Sequence, residues 1–224
     1  MKLTLQAVSS FVLGLAFFGL VLFLPAGTFD YWQAWVFVAV FSVSTFVPST
    51  YLAIRHPDAL SRRMKAGPTA ETRPAQRIII TAIFLLGIAV MVVSALDWRF
   101  GWSTVPVWLV IAGEVLVAAG LVGAQLVVIQ NNYAGASITV EEGQPLVSTG
   151  LYGIVRHPMY TGSLIMMLGT PLALGSLWGL PVVLAAVPVL AARILDEEKA
   201  LTTELAGYPE YTQRVRYRLI PGVW

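Results

Sequence analysis

Two short polar segments in the last third of the chain carry most of the groups able to do chemistry. Gly150-Leu-Tyr-Gly-Ile-Val-Arg-His-Pro-Met-Tyr160 supplies Tyr152, Arg156, His157 and Tyr160, and Arg193-Ile-Leu-Asp-Glu-Glu-Lys199 supplies Arg193, Asp196, Glu197 and Glu198. Arginine grips an anionic oxygen pair with a bidentate fork, a carboxylate accepts from ammonium and hydroxyl groups, and a tyrosine face attracts a cation. Arg193 and Glu197 stand at i and i+4 and so share a helix face, where they either pair or hold two ends of a zwitterion. His157 and Glu198 are the candidates for proton acceptor if the reaction needs a base. A plainer account also exists: Arg156 and His157 beside Pro158 can cap a span and snorkel to head groups, and a Glu-Glu pair is commonly a solvated face.

The elements that position these segments are membrane helices. Of 224 residues 57% are hydrophobic and 12% charged, with a mean hydropathy of +0.76, which excludes an ordinary soluble domain. Apolar runs of spanning length cover Leu3 to Leu24, Tyr31 to Ile54 (with Pro48 inside), Ile78 to Leu96 and Val105 to Ile129. The first run exceeds the apolar core of a signal peptide and lacks a small-x-small cleavage site, so it reads as a retained span. From Met159 to Ala192 a longer apolar stretch breaks at Gly175-Ser-Leu-Trp-Gly-Leu-Pro181, the pattern of a tight helical hairpin with arms of about 16 residues. A polar tail from Arg193 to Trp224 follows, helical in spacing to Ala206, with Ile194, Leu201 and Leu205 as an apolar stripe. The expected fold is an all-α polytopic bundle of five to six transmembrane helices, including that C-terminal hairpin, plus a cytosolic helical tail. It divides into a membrane region 1–130 and a catalytic region 131–224.

With six crossings and a cytosolic N-terminus, every Lys and Arg except Arg99 falls on the cytosolic side. Trp32, Trp35, Trp98, Trp102, Trp108 and Trp178 gather at the opposite turns, where amphipathic rings anchor at an interface. Both termini are therefore expected in the cytosol, in a multi-pass protein of a plasma membrane of bacterial inner-membrane type. The basic cluster from Arg55 to Arg77 reads chiefly as an orientation signal with head-group contacts. This topology returns the chain to one face twice, near Tyr160 and near Arg193, so the two polar segments must meet. No cysteine is present, which excludes disulfides, thiolate metal sites and a cysteine nucleophile, and two histidines are too few for a histidine-rich metal centre. No nucleic-acid partner and no obligate protein partner is expected; the bilayer and a lipophilic or amphipathic small molecule are. Glu114, about ten residues into the fourth span, is costly there unless paired, protonated or facing a cavity. Asp97 and Arg99 read as tethers of the outer end of the third span, and Asp30 as part of the first outer turn.

The string Gln144-Pro-Leu-Val-Ser-Thr-Gly-Leu-Tyr-Gly-Ile-Val-Arg-His-Pro-Met-Tyr-Thr-Gly162, the hairpin, Arg193-Ile-Leu-Asp-Glu-Glu198 and Tyr208-Pro-Glu-Tyr211 together resemble the C-terminal half of the isoprenylcysteine carboxyl methyltransferase and phospholipid methyltransferase superfamily. The resemblance implies S-adenosyl-L-methionine as cofactor. It implies cofactor contacts at Gln144, Pro145, Leu146 and Val147, at Tyr152, at His157, Pro158, Met159 and Tyr160, and at Glu197. It also implies that Arg193 faces the methyl acceptor. Gln144-Pro145 departs from the eukaryotic pattern, so backbone contacts are expected there. Methyl transfer from a sulfonium needs no metal and no covalent intermediate, only donor and acceptor held in line, which a chain without cysteine can do. The first two spans carry no family signature, and the acceptor stays open among a carboxylate, an amine, a thiol and a hydroxyl. Membrane sterol reductases, which use NADPH, carry a similar Tyr…Arg-His-Pro-x-Tyr segment and form the competing reading; a non-catalytic membrane scaffold is a third.

Overall fold

A computed structural model describes Ser9 and residues 12–64, 66–71 and 73–224. Most of the first run before Val12, together with Lys2 and Lys65 of the basic tally, lies outside the described residues. The described chain is helical: α1 (Val12–Ala26, with a π-helical turn at Gly19–Phe23), α2 (Trp32–Arg55), α3 (Pro57–Met64), α4 (Pro74–Phe100), α5 (Val107–Gln130), α6 (Pro158–Ala173), α7 (Gly179–Glu204) and α8 (Tyr208–Arg214). Of these, α2, α4, α5 and α7 are long and apolar enough to cross a membrane. At 1.5 Å per residue the 16 residues of α6 span about 24 Å, short of a hydrocarbon core of about 30 Å.

The second, third and fourth spans expected from hydropathy match α2, α4 and α5 to within a few residues, and α2 continues through Pro48. The hairpin differs in its packing. Its arms follow one another through the turn 174–178, but α6 lies along α5 and α7 along α4, and the arms touch each other far less. Glycine is the reason. Gly113 and Gly120 on α5 face Gly169 and Gly162 on α6, and a Cβ on Gly120 would sit 2.5 Å from the Gly162 carbonyl oxygen, so only glycine permits this approach. Between membrane helices, where lipid competes equally for apolar surface, such close backbone contact is a main source of association.

At the tryptophan-rich end Leu22, Phe23, Tyr31, Phe37, Ala95, Val117 and Leu174 form one buried cluster joining α1, α2, α4, α5 and the 174–178 turn. Tyr31 stacks on Trp98 and donates to the Leu174 carbonyl at 2.6 Å. Asp97, fully buried, accepts from Ser103 N and Oγ and from Ser176 Oγ at 2.5–2.7 Å, so it ties two turns together, as the tether reading expects. At the basic end α7 runs past Arg193 to Glu204, and its apolar stripe is covered by protein. Ile194 packs with Leu190, Leu219, Tyr160 and Trp224, and Leu201 and Leu205 pack with Leu146, Tyr208, Tyr211 and Val215.

Candidate active site

The two polar segments do meet, around a cavity of about 840 Å³ counting the part open to solvent. Its wall includes Gln144, Pro145, Leu146, Val147, Tyr152, His157, Met159, Tyr160, Arg193 and Glu197. Local sequence sets this geometry. Pro158 opens α6, where its missing N–H costs nothing and its ring keeps His157 out of helical backbone (φ −125°, ψ 62°), so the chain turns sharply from loop into span. Gln130, the last residue of α5, donates to the Thr149 carbonyl at 2.5 Å and accepts from Leu151 N at 3.1 Å, which pins the helical turn Gly150–Gly153 carrying Tyr152. Tyr152 accepts from Asn131 Nδ2 at 3.2 Å, and burial pushes its phenol up to about 12, so it stays neutral.

Tyr160 links the arms. Its hydroxyl donates to Glu197 Oε2 at 2.6 Å and accepts from Arg193 Nε at 3.0 Å. Arg193, 4% exposed, uses its other nitrogens as well: Nη1 donates to Gln76 Oε1 at 2.7 Å, and Nη2 donates to the Ala136 carbonyl at 3.0 Å and pairs with Glu71 at 2.9 Å. The ion pair of Arg193 is thus with Glu71, while Glu197 is held by Tyr160. Contact between Arg193 and an acceptor, which the resemblance implies, is left to the one N–H of five that these contacts do not use, unless one of them is given up. Gln76 also donates to Asp196, which pairs with Arg73 at 2.9 Å.

Two residues named from the sequence stand behind the wall rather than on it. Pro158 is buried at the start of α6. Glu198 lies among three basic side chains, with His157 Nε2 at 3.1 Å, Arg156 Nε at 3.3 Å and Arg218 Nη2 at 2.9 Å. As a proton acceptor it would have to leave that cage. Glu114 is buried in α5 away from the cavity, and neither of its carboxyl oxygens has a hydrogen-bond partner among the described residues.

Residues that sequence reasoning passed over complete the site. The stretch from Arg55 to Arg77, read chiefly as an orientation signal, reaches into it through Glu71, Arg73 and Gln76, and Glu71 is only 2% exposed. The signal available was Glu71 itself, the one acid among the bases from Arg62 to Arg77. The loop 131–139 forms another wall and carried no motif. Tyr208 and Tyr211 of α8, part of the resemblance but given no role by it, close the cavity from the far side, and Tyr211 donates to the Tyr152 carbonyl at 2.7 Å. Burial pushes both phenols up, and the Tyr208 hydroxyl is buried with no partner among the described residues.

Comparison with known proteins adds independent information. The family model described as phospholipid methyltransferase matches residues 108–207. The chain is 38% identical over 91 residues to the Delta(14)-sterol reductase TM7SF2 of Mus musculus, covering 39% of this chain and 22% of that protein. It is 24% identical over 160 residues to the cobalt-zinc-cadmium resistance protein CzcN of Cupriavidus metallidurans, covering 71% and 68%. A probable 7-dehydrocholesterol reductase of Acanthamoeba polyphaga mimivirus is 34% identical over 82 residues, covering 35% and 18%. The chain therefore spans only about a fifth of either reductase. Among solved structures, the eukaryotic intramembrane Ras methyltransferase ICMT (isoprenylcysteine carboxyl methyltransferase) is similar at a TM-score of 0.47 and 16% identity, covering 98% of this chain and 85% of that one. The matched family segment runs from α5 through both arms to Gly207 and contains most of the cavity wall, so the similarity to the phospholipid methyltransferase model falls on the candidate site.

Proposed function

We propose that the chain is a membrane-embedded S-adenosylmethionine-dependent methyltransferase acting on a lipid-soluble or small amphipathic acceptor. One observation carries the reading: the charges on the cavity wall are unevenly matched. Arg156 and Arg193 already have carboxylates in Glu198 and Glu71, whereas Glu197 is held only by a phenol, in a wall rich in tyrosine. Such a wall suits a ligand with ammonium and sulfonium centres and a hydroxyl-rich sugar. The unpartnered Tyr208 hydroxyl fits as well, since a buried polar atom without a partner is costly until a ligand satisfies it. Glu197 would hold the amino group or the ribose hydroxyls, Tyr152 and Tyr208 would flank the base, and the backbone of 144–147 would complete the cradle. When bound, the cofactor supplies an electrophilic methyl group that is displaced in line. The protein's own part is to orient and to exclude water: Arg193 positions Tyr160, Tyr160 positions Glu197, and α8 covers the cavity. We place the basic end, with both termini, on the cytosolic side, region 131–224 as the cofactor-binding part, and the membrane helices of 1–130 as the acceptor side.

The sterol reductase similarities favour a second reading, NADPH-dependent reduction. A dinucleotide with three phosphates needs several unpaired cations, and the arginines on this wall are paired. Isothermal titration of the detergent-purified protein with S-adenosylmethionine and, separately, NADPH decides. Saturable binding of the former is expected, weakened by about 1–3 kcal/mol in a folded Glu197→Gln variant. Binding of NADPH alone overturns the proposal in favour of the reductase, and binding of neither leaves the scaffold.

A further inference from the structure

The stretch Arg218-Leu-Ile-Pro-Gly-Val-Trp224 follows a polar tail, yet it packs at the level of the spans. Leu219, 6% exposed, is buried with Leu190 and Ile194 of α7, and Tyr160 and Leu164 of α6 pack against the same cluster, as does Trp224. Leu164 stands six positions inside Pro158 and Leu190 three positions before Arg193, about 9 Å and about 4.5 Å along their helices. The chain that runs out past Arg193 has therefore come back, and Leu219 wedges between two arms that touch each other little.

The backbone of this stretch is made for a place with little water. Arg218, Leu219 and Ile220 donate their main-chain N–H groups to the Trp224 main-chain oxygen at 2.8, 3.0 and 3.3 Å, and Val223 and Trp224 donate theirs to the Ile220 carbonyl at 3.1 and 3.2 Å. Pro221 has no N–H to satisfy, and Gly222, at φ 81°, makes the turn. The carbonyls of Tyr217 and Arg218 accept from the N–H groups of Arg156 and His157, both at 2.9 Å, and the Leu219 carbonyl accepts from Thr161 Oγ1 at 2.9 Å. A loop in water leaves such groups to the solvent, whereas beside lipid an unpaired one is costly. Outward the loop shows hydrocarbon: Val223 is 75% exposed and Ile220 43%. Just before them Arg216 and Tyr217 are exposed, the basic and aromatic types that settle among headgroups.

We propose that residues 218–224 are a membrane-dipping anchor, with Ile220 and Val223 set in the boundary between headgroups and acyl chains at the basic end, and that the bilayer thereby holds one edge of the cavity in place. The connection runs through the backbone bonds to Arg156 and His157, both on the cavity wall, and through Arg218, whose Nε donates to Glu198 at 2.9 Å. The stretch after Arg193, read from the sequence as a cytosolic tail, thus returns to lipid. Nothing in this depends on which reaction the cavity serves.

Because the chain has no cysteine, a nitroxide can be placed at one chosen position of the full-length protein. Labels at Val223→Cys and Ile220→Cys are compared in phospholipid nanodiscs with one at Gln213→Cys, exposed on α8, and one at Val115→Cys, exposed within α5. Oxygen concentrates in acyl chains and a nickel chelate in water, so the ratio of their relaxation effects reads depth. The ratio at 220 and 223 is expected to exceed that at 213 severalfold, toward the value at 115. A ratio at both positions equal to that at 213 puts the loop in water and overturns the anchor. Shielding from both reagents together with spin–spin broadening puts a second copy on the loop and overturns it equally. If one label prevents folding, the other decides. For the hold on the cavity edge, Val223→Asp places a charge at the boundary on a residue outside the cavity wall. Amide exchange at Arg156 and His157 should then speed up by about tenfold or more, with exchange around Asp97 unchanged, while Val223→Leu leaves both as they were. Unchanged exchange at Arg156 and His157 in Val223→Asp overturns the hold. Faster exchange at both ends marks a protein that has not folded, and the milder Ile220→Ser then takes its place.

Discussion

Both ends of this bundle bury polar groups, and they do so differently. At the tryptophan-rich end, Asp97 accepts from Ser103, Ser176 and Trp178 N, and it takes no part in the wall of the cavity at the other end. At the basic end, the network around Arg193 and Glu198 is nearly as complete, yet a remainder is left over: Glu197 with only a phenol, Tyr208 with a buried hydroxyl, and Arg63 with two neutral contacts. A dense set of ionisable groups therefore does not by itself mark a site, because most of it is scaffolding that holds the backbone. What marks the site is the part of the set that the chain does not satisfy: Glu197 and Tyr208 line the cavity, and Arg63 stands behind Gly135 and Met159 of its wall.

The sharpest way to break this contrast is to cut the scaffold at the basic end. Arg193→Ala leaves Glu71 buried without its cation, and such losses cost about 3–5 kcal/mol because the remaining charge stays desolvated. A large drop in thermal stability is expected, recovered in good part by the double variant Arg193→Met with Glu71→Leu, which removes both charges. An Arg193→Ala protein as stable as the unaltered one would show that the pair is not structural and would free Arg193 to serve the acceptor. At the other end Asp97→Asn weakens the charge-assisted bonds from the serines, at a cost of about 1–3 kcal/mol. Its cofactor affinity should stay unchanged, since Asp97 and the turn it holds lie at the opposite end of α6 and α7 from the cavity; a matched loss of affinity would mean that the two ends are coupled.

How much of this the residues announced follows from the range of each interaction. Helix positions were legible because hydropathy is local, and the meeting of the two polar segments was legible because two returns to one interface leave no alternative. The hairpin's packing was less so. Gly113, Gly120, Gly162 and Gly169 keep a seven-residue spacing, but a sequence does not say which glycine faces which. Pairing of Arg193 with Glu197 at i+4 was one of two readings the sequence left open, and its partners are instead Glu71, in the loop before α4, and Gln76, in the first turn of α4, more than a hundred positions away in the chain. Charge pairing at such separation leaves no periodic trace, so Glu71 was hidden in a cluster of bases. Glu198 shows the same limit: its polar character was evident, but its three cations come partly from the tail at Arg218.

The smallest expected effect is also the one that separates scaffold from remainder most cleanly. Tyr208 packs in the cluster with Leu205, Tyr211 and Val215, and its ring contributes to that packing whatever its hydroxyl does. Because the hydroxyl is buried without a partner, Tyr208→Phe removes a desolvated polar atom and keeps the ring, so the ligand-free protein should be unchanged or slightly more stable, by about 1 kcal/mol at most. If a ligand's hydroxyl or ring nitrogen normally meets that group, the same substitution should weaken cofactor binding by about 0.5–1.5 kcal/mol, the usual worth of one neutral hydrogen bond. The two shifts have opposite signs, and scaffold residues cannot give that pattern: removing a hydrogen bond within the protein lowers stability and leaves affinity either unchanged or lower for the same reason. Thermal unfolding of the ligand-free variant alongside a cofactor titration reads both. A Tyr208→Phe protein that loses stability would place the hydroxyl in the scaffold with Asp97, whereas one with unchanged stability and unchanged affinity would remove Tyr208 from the ligand's contacts.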